Sequence, residues 1–462
     1  MIDGVDNPAP HKQTVPRALS SCDKLVLVMV GLPGRGKTFL ANKLERYCKF
    51  FHNTDCKVFT VGHYRRERHG HFQPASFFDP AGPGAAARKL CSAAAMDDLK
   101  AWLNDEAPGH ERGRIAVFDS SNTTRKRRRW ILAQLEGCVQ LKHHIIFVER
   151  KLEDPALIEE MIRDVDANIM AGRTSDYVDI GVEEAKVDFR ARMEQYSKNY
   201  EPLGLCDDTD VAWIQSIDGG RGMKANNIRG FLPGRIMQNV NDLHSTRRNI
   251  YLSRHGQSEY NVLAKIGGDS ALSAQGREYG VKLGEFASSV ILREDAHARL
   301  WTSTLKRTIE TGSYISHDRR EDGWVTMRPK TWRGLDELYA GRFDGMTYAE
   351  IREAAPTEME AREKYKLSYR YPRGESYLDV IERVAPVIHA LEQSTAPVLV
   401  IAHQGILRII YAYFKNIPRE EAPFLKIPLH QVIRLTPEAY ECQEKVFPLM
   451  ESEGVDAHAP SC

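Results

Sequence analysis

Short apolar runs separated by amphipathic stretches of helical length organise this chain. LVLVMV (25–30), KVFTVG (57–62), RIAVFD (114–119), HHIIFVE (143–149) and VAWIQSI (211–217) read as buried strands. Between them, TFLANKLERYCKFF and ARKLCSAAAMDDLKAWL carry helical periodicity. Strands alternating with helices predict an α/β domain: a mostly parallel sheet with helices on both faces. A second α/β set starts at NIYLSR (249–254) and continues through ARLWTS (298–303) and VLVIAH (398–403). Between the sets, GGRGMKANNIRGFLPGRIMQNVNDLHSTR (219–247) is rich in glycine and basic residues, and its second half reads as one helix. The predicted division is a flexible tail at 1–20, a first domain at 21–220, a connecting segment at 221–247, a second domain at 248–445 and a tail at 446–462.

A length of 462 residues also favours two domains over one core. Charge is balanced, 64 Lys plus Arg against 63 Asp plus Glu, so no global field draws the chain to nucleic acid or an anionic membrane. The eight cysteines form no CxxC pair, which favours reduced thiols in an intracellular protein. The N-terminal stretch has no apolar core of signal-peptide length, and the run Leu25 to Leu32 is too short to span a bilayer. A soluble, cytoplasmic protein without a membrane or nucleic-acid partner is expected.

After the first apolar run comes GLPGRGKT: Gly31, Leu32, Pro33, Gly34, Arg35, Gly36, Lys37 and Thr38. Strand, glycine-rich loop and helix follow in the order of a phosphate-binding P-loop. The glycines permit a turn whose N–H groups face a phosphate, at the positive end of a helix. Lys37 would reach the β and γ phosphates of a nucleotide, and the Thr38 hydroxyl would ligate Mg²⁺. ATP with Mg²⁺ is the expected cofactor. Asp119, ending RIAVFD, would serve the metal or the attacking hydroxyl; an Asp at a strand end can also be a simple cap.

The second set opens on YLSRHGQSEYN, with Arg254-His255-Gly256 where strand becomes loop. A neutral imidazole beside a guanidinium can attack phosphorus while the cation holds the phosphoryl oxygens. Such chemistry also needs a further cation, an acid for the leaving oxygen and a polar group opposite the nucleophile. Arg307 in WTSTLKRT, Glu337 in LDELYAG and His403 in VIAHQG offer these. Strand ends of open α/β sheets converge on one crevice. Taken singly, His403 also reads as a core histidine and Arg307 as a surface charge.

RHGQSEYN, TLKRT, DELYAG and AHQG in this order resemble the histidine phosphatase superfamily, which includes phosphoglycerate mutases. With GLPGRGKT in front, and with VFTVGHYRRE, VFDSSNTTRKRR, IGGDSALSAQG, YRYPRGESY and LKIPLHQVIRLTP, the chain resembles the bifunctional 6-phosphofructo-2-kinase/fructose-2,6-bisphosphatase family from about Leu25 to about Cys442. The resemblance implies a P-loop NTPase-type kinase domain that makes fructose 2,6-bisphosphate from ATP and fructose 6-phosphate. It implies a phosphoglycerate mutase-like domain, without a cofactor, that hydrolyses the bisphosphate. It makes a homodimer plausible.

On this resemblance His255 is the nucleophile, Arg254 and Arg307 hold the 2-phosphate, Glu337 is the general acid and His403 stabilises the phosphoryl group. Asn261, Tyr348, Arg362, Lys366, Tyr377, Gln404 and Arg408 would contact substrate. Arg362, Lys366 and Arg408 would grip the far phosphate of a ligand carrying about four negative charges. In the kinase half Arg65, Arg66, Arg88, Thr124, Arg192 and Tyr196 match residues around fructose 6-phosphate. Two positions depart from the pattern. Gln257 stands where the family usually has Glu. Counting along DPALIEEMIRDVD, Asp166 takes the place of a lysine that contacts ATP phosphates. An anion there would weaken transfer, and Arg163 or Arg173 are alternative sources of the charge. A bisphosphatase with a silent kinase domain therefore stays open beside the bifunctional reading. A nucleic-acid end-processing kinase/phosphatase is a third reading, to which RKRRRW (125–130) would contribute a basic patch.

Overall fold

The computed structural model describes residues 24–105, 113–139, 144–172, 176–204, 206, 208–244, 246–438 and 441–451. The chain forms two compact units that divide between Val240 and Asn241. Each holds one six-stranded sheet.

The first unit contains β1 (Lys24–Val30), β2 (Asp55–Thr60), β3 (Arg114–Asp119), β4 (Ile145–Lys151), β5 (Ala212–Ile217) and β6 (Gly222–Asn226). Their order is β2-β3-β1-β4-β5-β6, parallel except for β6. β1 is apolar without alternation because both its faces are covered. Val26, Val28 and Val30 pack in one core with Met96 and Leu99 of the helix Ala85–Asn104 and with Ile131 of the helix Arg125–Leu135. Leu27 and Met29, on the other face, are also fully buried. Burial of each such side chain contributes roughly 1.5–3 kcal/mol. The register pairs Val28 with both Phe118 and Phe147, so the ends of β1, β3 and β4 lie side by side.

The second unit contains β7 (Ile250–Arg254), β8 (Arg299–Thr302), β9 (Pro329–Thr331), β10 (Val398–Ala402), β11 (Gln431–Pro437) and β12 (Cys442–Pro448), in the order β12-β11-β7-β10-β8-β9. β7, β10, β8 and β9 are parallel; β11 and β12 run antiparallel. Arg254 is opposite Ala402, and Thr302 is opposite Ile401. The loops after β7, β10 and β8 therefore start at one level.

Two predicted boundaries move. Residues 222–226, expected in the connecting segment, are β6 and pair with β5 from Ile217↔Gly222 to Trp213↔Asn226. GMKAN has too little apolar character to signal a strand; the sheet edge and the turn after Ile217 impose it. Residues 446–448, expected in the C-terminal tail, complete β12 against β11. The expected N-terminal tail lies outside the described residues. Among the described residues, no helix is long and apolar enough to cross a membrane.

A buried ion pair supports the second unit. Arg248 Nη2 donates to Glu392 Oε2 at 2.6 Å, with side chains only 4% and 2% exposed. Arg248→Met removes the guanidinium facing a buried carboxylate and should cost about 3–5 kcal/mol. Urea denaturation followed through the second unit's transition measures this. Most of the loss should return in the double variant Arg248→Met/Glu392→Leu, which removes both charges.

Candidate active sites

The phosphate loop leaves β1 at Gly31 and ends at Gly36, the N-cap of the helix Lys37–His52. Gly31, Gly34 and Gly36 have φ of 136°, 75° and 71°. The loop is tied to the end of β3: Gly31 N–H donates to Ser121 O at 2.9 Å, and Asn122 Nδ2 donates to Met29 O at 2.8 Å. Lys37 is buried and donates to Leu32 O at 2.6 Å. Burial pulls its pKa down to about 8, against the opposing pull of Asp119. Thr38 Oγ1 donates to Asp119 Oδ2 at 2.7 Å, and Thr60 Oγ1 donates to the same oxygen at 3.3 Å. Burial pushes the Asp119 carboxyl up, while Thr38 and Lys37 oppose it. Arg35 Nη1 is buried without a hydrogen-bond partner among the described residues. A hydroxyl, a carboxylate, a lysine and an orphaned guanidinium N–H around a glycine loop fit Mg²⁺ with a polyphosphate. Pro33 lies within this loop, among the residues expected to line it.

A second cationic cluster lies in the same unit. Arg65, Arg66 and Arg192 all pair with Asp176, the latter two at 2.8 Å. Burial alone would raise the Asp176 carboxyl, but Arg192 and Arg65 hold it down to about 2. Arg192 and Arg65 also stack on Phe78, at 3.7 and 5.4 Å from its centroid, and Tyr196 meets the same ring at 6.3 Å. Arg88 Nη2 donates to Asp79 O at 2.6 Å. Thr124 caps the helix Arg125–Leu135 by accepting from Arg127 N–H. Buried donors on Arg65, Arg88 and Arg192 have no hydrogen-bond partner among the described residues, which suits a phosphorylated ligand.

The RKRRRW segment is largely engaged. Arg127 lies 4.0 Å from the Trp130 centroid, Arg128 is buried against Asp208, and Arg129 pairs with Asp210 at 2.6 Å. Asp166 accepts from Arg190 Nη2 at 2.7 Å, so a guanidinium compensates its charge locally. Arg173 lies outside the described residues.

In the second unit, the predicted histidines come together at the ends of β7 and β10. His255 Nδ1 donates to Gly256 O at 2.7 Å, because a carbonyl can only accept. Its Nε2 lone pair then accepts from Arg307 Nε at 3.2 Å. The same Nε–H reaches His403 Nδ1 at 3.2 Å. His403 therefore carries its proton on Nε2 and donates to Ser303 Oγ at 2.8 Å. Ser303 continues to Thr308 Oγ1 at 2.7 Å. Burial is the main cause that holds both imidazoles well below the usual histidine pKa, with Arg307 adding to it. Arg307 also donates to Gly268 O, and Arg254 to Ile427 O.

Glu337 joins this group from the loop after β9. Its Oε1 accepts from Leu338 N–H at 2.9 Å and its Oε2 from Gly405 N–H at 3.4 Å. A Cβ on residue 405 would lie 2.7 Å from Glu337 Oε1, so the glycine of AHQG makes room for the carboxylate. Beyond it, Arg408 Nη1 donates to the buried Tyr377 hydroxyl at 3.0 Å. Arg362 donates to the hydroxyls of Tyr348 and Tyr371 at 2.8 and 2.7 Å. The Lys366 ammonium is 4.7 Å from the Phe424 ring centroid. Phenols hold these guanidinium groups in place of carboxylates, so their charge stays available to an anion. Gln404 opens the helix Gln404–Lys415 between His403 and Gly405. The Asn261 side-chain oxygen is used in the capping box with Ser258. Gln257 is buried and accepts from Ser273 Oγ at 2.7 Å, so an amide there serves local structure.

Sequence reasoning missed Arg150, Asp176 and Phe78. Asp176 and Phe78 matter because three arginines converge on them, a fact of tertiary geometry. Arg150, near the end of β4, is buried with its guanidinium against the phosphate loop at Gly36, a placement that only the strand order gives.

A model of 6-phosphofructo-2-kinase matches residues 12–247, and one of the histidine phosphatase superfamily (branch 1) matches residues 250–447. A 6-phosphofructo-2-kinase/fructose-2,6-bisphosphatase of Arabidopsis thaliana is 43% identical over 430 residues, 92% of this chain and 54% of that protein. One of Caenorhabditis elegans is 39% identical over 431 residues, 92% of this chain and 89% of its own. A solved alpha-ribazole phosphatase from Shigella flexneri is 19% identical, with a TM-score of 0.38, over 43% of this chain and 96% of its own. The chain belongs to the 6-phosphofructo-2-kinase/fructose-2,6-bisphosphatase family.

Proposed function

We propose that the second unit hydrolyses fructose 2,6-bisphosphate through a phosphohistidine and that the first unit makes it from ATP and fructose 6-phosphate. The observation that carries the hydrolase reading is the Arg307 Nε–H shared by His255 Nε2 and His403 Nδ1. The two ring centroids are 5.1 Å apart, and the shared donor leaves each ring a lone pair on the same side. A phosphoryl group that displaces this N–H meets a neutral nucleophile and two guanidinium groups.

In the first step His255 Nε2 attacks phosphorus and the bond to O2 of the sugar breaks. Glu337 gives its proton to that oxygen, and fructose 6-phosphate leaves. In the second step the Glu337 carboxylate takes a proton from water, whose oxygen attacks phosphorus as the N–P bond breaks. Arg254, Arg307 and His403 neutralise the charge carried by the oxygens in transfer. Arg362, Lys366 and Arg408 bind the 6-phosphate, with Tyr348, Tyr377 and Gln404 completing the pocket and Asn261 acting through the loop it caps. No cofactor is needed for this half.

In the kinase half the fructose 6-phosphate O2 hydroxyl attacks the γ phosphorus of ATP, the bond to the β-phosphate oxygen breaks, and Asp119 accepts the hydroxyl proton. Thr38 and Asp119 would hold Mg²⁺, which neutralises phosphate charge when bound. Lys37 and the loop from Gly31 to Gly36 hold the phosphates. Arg65, Arg66, Arg88, Thr124, Arg192 and Tyr196 receive the sugar phosphate. Pairing of Asp166 with Arg190 removes much of the repulsion expected of an anion there and favours an active kinase over a silent one. The engaged arginines of RKRRRW count against a nucleic-acid substrate. A homodimer, on family resemblance, and a cytoplasmic location, on cysteine usage and the N-terminal pattern, remain part of this reading.

His255→Ala should abolish hydrolysis and prevent labelling by the 2-phosphate. Labelling retained in that variant would refute the nucleophile. The same variant, given Mg-ATP and fructose 6-phosphate, should accumulate fructose 2,6-bisphosphate; no accumulation despite ATP binding would mean a silent kinase domain. Glu337→Gln should slow phosphoenzyme formation about 10²–10⁴-fold while substrate affinity stays near the parent value. Because the His255 pKa is depressed, the ring stays neutral on the acid side of pH 6.5. Nitrogen NMR should show neutral His255 in the free enzyme at pH 6, and Arg307→Gln should move its titration upward.

A further inference from the structure

β4 lies next to β1, and its register pairs Val30 with Glu149. Arg150 is therefore level with Gly31, the first residue of the phosphate loop; a Cβ on Gly31 would sit 3.0 Å from Arg150 O. Side chains alternate along a strand. Glu149 turns to one face, where Tyr200, Leu203 N–H and Gln215 donate to it. Arg150 turns to the other, under the start of the helix Lys37–His52. A Cβ on Gly36 would lie 2.8 Å from Arg150 Nη1 and 3.5 Å from its Cζ. Only glycine at 36, already at φ 71°, admits this guanidinium against the loop.

Arg150 is 4% exposed. Among the described residues no hydrogen bond or ion pair reaches its guanidinium; its neighbour is the Phe39 ring, 5.8 Å from Cζ. Burial alone acts on its pKa, pulling it down to about 10 and leaving it charged at neutral pH. Buried cations are ordinarily paired, as Arg128 and Arg248 are here. Other cations lie at the loop: Lys37, whose one carboxylate partner Asp119 is already engaged by Thr38 and Thr60, and Arg35, whose buried Nη1 has no hydrogen-bond partner among the described residues.

We propose that Arg150 is a catalytic residue of the kinase half, a guanidinium supplied by the strand beside the phosphate loop that binds the polyphosphate of a nucleoside triphosphate and stabilises its charge during transfer. It takes part in no bond change. Arg150 supplies the cation that family resemblance placed where Asp166 stands. The rate component rests on the kinase reading above; the binding component does not.

The test uses the full-length His255→Ala protein as parent, so that product survives, with Arg150→Gln and Arg150→Lys added. Mg-ATP affinity is measured by calorimetry, fructose 2,6-bisphosphate formation directly, and ligand-free stability by thermal melting. Arg150→Gln should weaken Mg-ATP about tenfold to a hundredfold, as loss of a charge-assisted hydrogen bond does. It should slow turnover at saturating substrates about a hundredfold. Arg150→Lys should recover part of the affinity. The ligand-free melting temperature should hold or rise in Arg150→Gln, because an uncompensated buried charge is removed. Mg-ATP affinity within twofold of the parent in both variants would overturn the proposal. So would an Arg150→Gln protein that melts earlier or fails to fold, since that marks a structural arginine. A parent that binds Mg-ATP but forms no product refutes the kinase reading alone, and the affinities still decide Arg150. A parent that does not bind Mg-ATP refutes both.

Discussion

One N–H bond fixes the protonation pattern of the hydrolase crevice. Arg307 Nε–H lies between His255 Nε2 and His403 Nδ1, and a guanidinium can only donate. Both rings must offer it a lone pair, so each must carry its own proton on the far nitrogen. For His255 that proton goes to Gly256 O; for His403 it goes to Ser303 and on to Thr308. The chain of donors runs from a cation outward to neutral acceptors, and among the described residues no carboxylate hydrogen-bonds either imidazole. Low basicity at His255 follows from burial first, with the Arg307 and Arg254 guanidinium groups adding to it and the hydrogen bond to Gly256 opposing it.

The guanidinium groups around the two candidate sites follow a related pattern. Arg362 and Arg408 are held by phenols and a backbone carbonyl. Each neutral acceptor fixes a guanidinium in space without cancelling its charge. Where a carboxylate does intervene, at Asp176, it gathers Arg65, Arg66 and Arg192 onto one point and leaves further N–H donors on Arg65 and Arg192 unused. A desolvated cation held this way is costly in the empty protein and favourable once an anion arrives.

Much of this was legible in the sequence because it depends on chain-local order. LVLVMV followed by GLPGRGKT defines strand, loop and helix within a few residues. RHG and AHQG each follow a buried strand, and the parallel pairing of β7 with β10 brings their histidines level. Three of the four edge strands were not legible. β6, β9 and β12 contain GMKAN, PKT and CQEKVFP, whose pairing is set by the neighbouring strand rather than by their own apolar pattern. β11 alternates more clearly, but its antiparallel direction depends on tertiary contacts. Arg150 was hidden for another reason. Its significance comes from β4 lying beside β1, and strands whose paired residues Val30 and Glu149 are 119 positions apart have no local sign of adjacency. The expectation attached to Asp166 treated its charge as exposed to the nucleotide; Arg190, on a separate helix, is what compensates it.

The missing side chain at Gly405 ties two distant positions into one unit of variation. The Glu337 carboxylate occupies the volume that a Cβ at 405 would need, across a separation of 68 residues. Any larger residue at 405 displaces the Glu337 carboxylate before it disturbs the helix, so it would behave genetically as an allele of residue 337. Divergence at the two positions is coupled accordingly: a side chain gained at 405 obliges the carboxylate at 337 to give up its present place.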